Sequence, residues 1–216
     1  FTWGMDREFC DINPAARLPS LPSGSLPAWP EPSISHALIN LPEALRRVAL
    51  LALHTGQRRG DLCAMTWSAY DGRMIRLRQE KTGAVLAIPC HPDLIRELDA
   101  WKAERTSTLI LTSPRRTGWT PPHLSREMKE ALEAIGLTGL NVHGLRKAAA
   151  RRLAEAGCTA HEIAAITGHR TLAMVQHYTR SADQERLAQA ALDKVENVSK
   201  FTGKRAPNVL KMRGNK

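Results

Sequence analysis

No run of about 18 apolar residues occurs anywhere in this 216-residue chain, so nothing in it reads as a transmembrane helix. Phe1 to Cys10 has neither the basic stretch nor the apolar core of a secretory signal. Cysteine is scarce: Cys10, Cys63, Cys90 and Cys158 stand far apart, with no CxxC pair and no metal-ligand spacing. That pattern argues against a disulfide framework and against a zinc site, and it predicts reduced thiols in a soluble cytoplasmic protein. Aromatic residues make up only 5% of the chain, with two tyrosines. Acid is also short, 21 Asp and Glu against 31 Lys and Arg, a net charge of +10. With 43% apolar residues the chain can still bury one or two real cores, which excludes a disordered chain.

The excess charge is uneven. Lys200, Lys204, Arg205, Lys211, Arg213 and Lys216 stand in a tail without a single acid. A strongly basic chain points to a polyanionic partner, because Lys and Arg displace condensed counterions along a phosphate backbone. A basic tail can equally be a solvated extension.

Residues 14 to 32 hold six of the 13 prolines without helical or strand periodicity, and read as an extended linker. Residues 1–34 are therefore expected to be a remnant of a preceding domain plus this linker, residues 35–198 the main domain, and 199–216 the basic tail. Helices dominate the expectation. Leu45, Val48, Ala49 and Ala52 form a stripe ending before Gly56. A short helix follows from Asp61 to Trp67. Residues 73–78 and 84–88 predict a β-hairpin with Lys81 near its tip, and Leu109 to Leu111 a third strand. Pro92 opens a helix through Leu94, Leu98 and Trp101. The second half reads as helices ending near Gly136, Gly157 and Gly168, the last opened by a Thr159–Glu162 capping box, with a final helix over 182–198.

The chemistry-bearing residues have ordinary readings when taken singly. His143 and Arg146, three apart at a helix start, are neighbours on one face. With Lys147, Arg151 and Arg152 they also describe a plain basic helix. Arg58 and Arg59 suit a helix end. Tyr178 could simply pack in a core, and Thr159 to Tyr178 also scans as a helix-turn-helix with Ile163, Ile166 and Val175 inside.

In order, however, Thr55-Gly56-Gln57-Arg58 with Asp61 and Leu62, Lys81-Thr82-Gly83, His143-Gly144-Leu145-Arg146, and Thr167-Gly168-His169 with Tyr178 nine residues on resemble the tyrosine recombinases, specifically phage-type integrases. The resemblance covers about residues 35 to 195. It implies an α+β catalytic domain, mostly helical with a small antiparallel β-sheet. Asp11-Ile12-Asn13-Pro14 resembles the end of the family's preceding core-binding domain.

The resemblance assigns Arg58, Lys81, His143, Arg146, His169 and Tyr178 to the active site and Asp61 to its support. It implies two arginines clamping the scissile phosphate and Tyr178 as nucleophile. His143 would be base or its hydrogen-bond support, Lys81 the acid for the 5′-oxygen, and His169 a donor to the phosphate. Neither metal, ATP nor another cofactor is expected. Lys147, Arg151, Arg152, Arg115 and Arg116 are candidate DNA contacts. The implied partner is double-stranded DNA carrying attachment sites, bound by a homo-tetramer that could be monomeric in isolation, with DNA-bending accessory proteins as possible helpers in the nucleoid. A type IB topoisomerase, a non-catalytic DNA-binding protein and a metal-dependent nuclease are the alternatives, the last lacking its carboxylate cluster.

Overall fold

The computed structural model describes residues 1–13, 27–171, 173–176, 188–189, 192–193 and 195. The linker prolines before Pro27, His177, Tyr178, most of the helix expected over 182–198 and the basic tail lie outside the described residues.

A short helix, α1 (Thr2–Met5), precedes the main body. There α2 (Glu31–Asn40), α3 (Glu43–Thr55) and α4 (Arg59–Ala64) lead into a 3-10 turn at Trp67–Ala69. The strands β1 (Met74–Arg78) and β2 (Val85–Pro89) pair antiparallel, from Met74 opposite Pro89 to Arg78 opposite Val85. Then come α5 (Pro92–Ala103), α6 (Pro121–Ala134), α7 (Val142–Glu155) and α8 (Ala160–Thr167). The mostly helical α+β architecture with a small antiparallel sheet is therefore present.

The core forms because each helix turns its apolar stripe the same way. Along α3, Leu45, Val48, Ala49, Leu51 and Ala52 are buried, and α7 answers with Leu145, Ala148 and Ala149. The run of alanines lets the two backbones lie close. The α6 stripe of Leu124, Met128 and Leu132 is buried as its spacing predicts. A smaller cluster, Ala150, Ala154, Ile163 and Val175, holds α8 and the turn after it against α7. Of the residues that scanned as the core of a helix-turn-helix, Ile163 and Val175 are thus packed with α7, while Ile166 is only partly buried.

Buried packing against the main body is already present ahead of Ser35. Trp29 is fully buried, and its Nε1 donates to Asn141 O at 2.8 Å. Its indole lies on Gly144, where a Cβ would come within 2.6 Å of Trp29 Cδ1 and 2.8 Å of Pro27 O. Glycine at the second position of the His143–Arg146 motif is required by this close approach. Truncating such an indole costs about 3–5 kcal/mol.

One expectation needs correcting: Leu109 to Leu111 is not a third strand. It makes a single bridge, Thr66 to Leu109, and Ile110 and Leu111 are buried. The 3-10 turn starting at Trp67 curls the partner chain away, so no ladder extends.

Candidate active site

The site is built where α3 ends. Gly56 takes a left-handed conformation (φ 61°) that stops α3 and turns the chain outward, so Gln57 and Arg58 enter α4 from its N-terminal side. The carbonyl that this turn exposes, Gly56 O, accepts a hydrogen bond from Arg146 Nη1 at 2.7 Å. The same Nη1 donates to Thr167 O at 2.6 Å, at the end of α8. Arg146 is only 2% exposed, and its guanidinium is oriented by two backbone carbonyls that lie far apart in the sequence.

Arg58, Lys81 and His143 line one cleft of about 510 Å³, together with Arg59, Gly60, Ser125, Asn141 and Val142. Arg58 comes from the start of α4, Lys81 from the turn between β1 and β2, and His143 from the first turn of α7. Asn141 caps α7 by accepting from Gly144 N at 3.0 Å. That cap fixes where the helix begins and so where His143 stands.

Asp61 lies behind the arginine, 6% exposed. Its Oδ1 accepts from Glu80 N at 2.9 Å and its Oδ2 stands 3.9 Å from Arg58 Nη1. A carboxylate so placed complements the guanidinium and ties α4 to the Lys81 turn.

The histidines are electrostatically coupled to these cations. His143 opens to the cleft and is held below the ordinary imidazole value, by partial burial first and then by Lys147, Arg146, Arg58 and Lys81. His169 is pushed down to about 4, by burial first and then by Arg146, Arg58 and His143. Both rings are neutral at neutral pH.

The His169 ring is anchored through Thr167. Its Nδ1 lies 2.6 Å from Thr167 Oγ1, and that hydroxyl donates to Ile163 O, also at 2.6 Å. With the hydroxyl proton directed to a carbonyl, Nδ1 is the donor and Nε2 of the neutral ring keeps its lone pair. Donation from Nε2 to a phosphate then follows protonation, which a nearby anion favours.

The structure thus gathers Arg58, Lys81, His143, Arg146, His169 and Asp61. Tyr178 lies outside the described residues. Among the candidate DNA contacts, Lys147 is half-buried beside His143, while Arg115 and Arg116 are exposed on the turn between α5 and α6. Arg151 and Arg152 are not among the residues lining the cleft. Both converge on Glu31 at the start of α2, each at 2.6 Å, and hold α7 to α2.

Sequence reasoning missed Gln79. It follows Ile75 and Leu77 at alternate positions, so a polar residue falls on the inward face of β1, and that was the available signal. Its amide is fully buried at the meeting point of α4, the hairpin and α8.

Arg58, Lys81 and His143 at the cleft, with Arg146 and His169 near enough to couple to them electrostatically, make an anion site suited to a phosphodiester. The comparison with known proteins agrees: the model of the phage integrase family matches residues 31–185, and the chain belongs to that family. It is 35% identical over 113 residues to the integrase of Escherichia phage HK022, covering 49% of this chain and 32% of that protein. To the integrase of Escherichia phage lambda it is 32% identical over 152 residues, 65% of this chain and 42% of that one. The chain therefore spans less than half the length of these relatives.

Among solved structures, a lambda integrase dimer bound to a COC′ core site superposes with a TM-score of 0.66 at 28% identity, covering 83% of this chain and 55% of that one. XerA recombinase matches with a TM-score of 0.64 at 20% identity, over 86% of this chain and 71% of that one, a likeness of fold.

Proposed function

We propose that this chain is the strand-breaking and rejoining domain of a site-specific tyrosine recombinase acting on double-stranded DNA. The observation that carries the reading is the joint placement of Arg58 and Arg146 on either side of the α3–α4 turn, with Lys81 at the same cleft.

A phosphodiester attacked in line develops charge on its nonbridging oxygens, and two oriented guanidiniums answer it with planar donors. Tyr178 is the nucleophile of this reading. Its phenol oxygen forms the new P–O bond as the P–O5′ bond breaks, leaving a 3′-phosphotyrosine and a free 5′-hydroxyl. The phenol proton passes to His143 or to a water that His143 holds, and the 5′-oxygen takes its proton from Lys81. Neutral His143 suits the acceptor role. The phosphotyrosine keeps the energy of the broken bond, so rejoining is the same exchange run backwards and needs no ATP.

The lambda enzyme has been seen as a tetramer bound to a Holliday junction, and the same stoichiometry on paired attachment sites is proposed here. Accessory DNA-bending proteins and a place in the nucleoid belong to this reading. No helix among the described residues is long and apolar enough to cross a membrane.

The test is covalent capture. Nicked duplexes carrying the junction sequences of the integrated element are incubated in EDTA with wild type and with Tyr178→Phe, then run on a denaturing gel. The expected result is a protein–DNA adduct in wild type alone. Cleavage that requires added divalent metal, or an adduct that survives Tyr178→Phe, would overturn the mechanism. Relaxation of supercoiled DNA without regard to sequence would move the assignment to a topoisomerase.

A further inference from the structure

Gln79 stands at the end of β1, next to the turn that carries Lys81, and its side chain is 0% exposed. A buried amide has two donors and a carbonyl oxygen, and here every one is used. Nε2 donates to Gln57 Oε1 at 2.7 Å and to Thr167 O at 2.8 Å. Oε1 accepts from Arg58 Nη1 at 2.6 Å and from Thr82 Oγ1 at 2.7 Å. The orientation is unambiguous, since a guanidinium only donates and a peptide carbonyl only accepts.

The backbone of the same residue closes the turn: Gln79 N donates to Ala84 O at 2.9 Å and Gly83 N donates to Gln79 O at 2.8 Å. Lys81 therefore sits in a loop whose base is Gln79 and whose flank, Thr82, is bonded to the Gln79 amide. Thr167 O is shared between Gln79 Nε2 and Arg146 Nη1. One side chain thus contacts Arg58 directly, Arg146 through a common carbonyl, and the Lys81 turn through Thr82. Gly168 leaves its space open, because a Cβ there would lie 2.4–2.6 Å from the three terminal atoms of the Gln79 amide.

Resting on the recombinase reading above, we infer that Gln79 is a positioning residue that holds the arginine clamp and the Lys81 proton donor in register, so that phosphate stabilisation and leaving-group protonation occur at one geometry. Without the link from Thr82 to Gln79, the turn keeps its backbone closure but Lys81 loses the side-chain tether to the cleft wall. Without Gln79 itself, Arg58 also loses its nearest fixed acceptor. A misplacement of about 1 Å in a reacting group can cost about 10²-fold in rate, which is the scale at stake.

The experiment compares two substrates. In one nicked duplex the scissile phosphate is ordinary. In the other the bridging 5′-oxygen is sulfur, whose thiolate leaves without a proton, so the contribution of Lys81 disappears. Single-turnover cleavage is measured for wild type, Thr82→Val, Gln79→Leu and, as reference, Lys81→Ala.

Thr82→Val, a half-buried, near-isosteric change in a turn, is expected to slow the ordinary substrate about tenfold and to leave the sulfur substrate near the wild-type rate. Gln79→Leu is expected to slow the ordinary substrate by about 10²-fold or more and the sulfur substrate by a smaller residual factor, because Arg58 is affected too. If Gln79→Leu does not fold, Thr82→Val alone decides.

Equal slowing of both substrates by Thr82→Val would mean a merely structural role and would overturn the inference, as would wild-type rates on the ordinary substrate. If instead Lys81→Ala is not rescued by sulfur, or wild type forms no adduct, the recombinase reading itself fails and the inference falls with it.

Discussion

Replacing Gly168 by alanine tests the packing of the site at its tightest point. Gly168 ends α8 in the left-handed region (φ 71°), and its missing side chain faces the Gln79 amide. An alanine there meets two costs. The left-handed backbone costs an L-residue about 1–2 kcal/mol. The Cβ would also sit 2.4 Å from Gln79 Nε2 and 2.6 Å from Cδ and Oε1, so the amide must move.

Gln79 is fully buried, and moving it gives up the bonds to Thr167 O and Arg58 with nowhere to remake them. Each buried partner left unpaired costs about 1–3 kcal/mol. The total is about 3–8 kcal/mol, a large share of the roughly 5–15 kcal/mol that holds a typical domain folded. Gly157 is the internal control: it is also left-handed (φ 86°) but a Cβ there meets nothing within 4 Å. Gly157→Ala should therefore lose only the backbone part, about 1–2 kcal/mol. Urea unfolding followed by tryptophan fluorescence reads both, since Trp29, Trp67, Trp101 and Trp119 are all buried. Equal losses in the two variants would refute the steric argument, because backbone strain alone would then explain both.

Other outcomes follow from the same geometry. Arg146→Lys removes a fork held by Gly56 O and Thr167 O, and a flexible ammonium cannot reproduce it. Single-turnover cleavage should fall by about 10²–10³ with DNA affinity little changed, and a loss smaller than about fivefold would count against a clamp role. Stability should fall on acidification. His169 has a folded value of about 4 against an ordinary 6.5, and His143 and His54 are shifted the same way. The unfolded chain therefore binds protons first, so stability is full above pH 6.5 and is lost as pH falls from there towards 4. Urea midpoints between pH 7.5 and 5, above the range of the Glu31 and Glu43 carboxylates, should show this, and a flat profile would contradict it. Arg151→Ala with Arg152→Ala should leave the salt dependence of DNA binding unchanged, because both arginines serve Glu31. Arg115→Ala and Arg116→Ala, on an exposed turn, should each lower the slope by about one if they meet phosphates.

The local chemistry of the chain was legible before any fold was known. Apolar spacing marked α3, α5, α6 and α7, the Thr159–Glu162 box marked the start of α8, and the hairpin around Lys81 followed from its flanking strands. These signals work because helix stripes, caps and turns are settled among residues a few positions apart. The candidate site was legible for a related reason: its charged groups sit in short ordered motifs, each fixed to one local element.

What the tertiary structure alone decided involves partners far apart in the chain. Trp29 reaches Asn141 across 112 residues, Arg146 reaches Gly56 across 90, Gln79 reaches Thr167 across 88, and Arg151 reaches Glu31 across 120. Alternation marked Gln79 as facing inward, but nothing local named its partners, and nothing local showed that Arg152 meets Glu31. A buried polar atom takes its role from whatever the fold brings within about 3 Å, and that is set only when distant elements pack. The same holds for Leu109 to Leu111: its apolar run suits a strand, yet the neighbour it met was a 3-10 turn, and a strand exists only where a partner continues beside it.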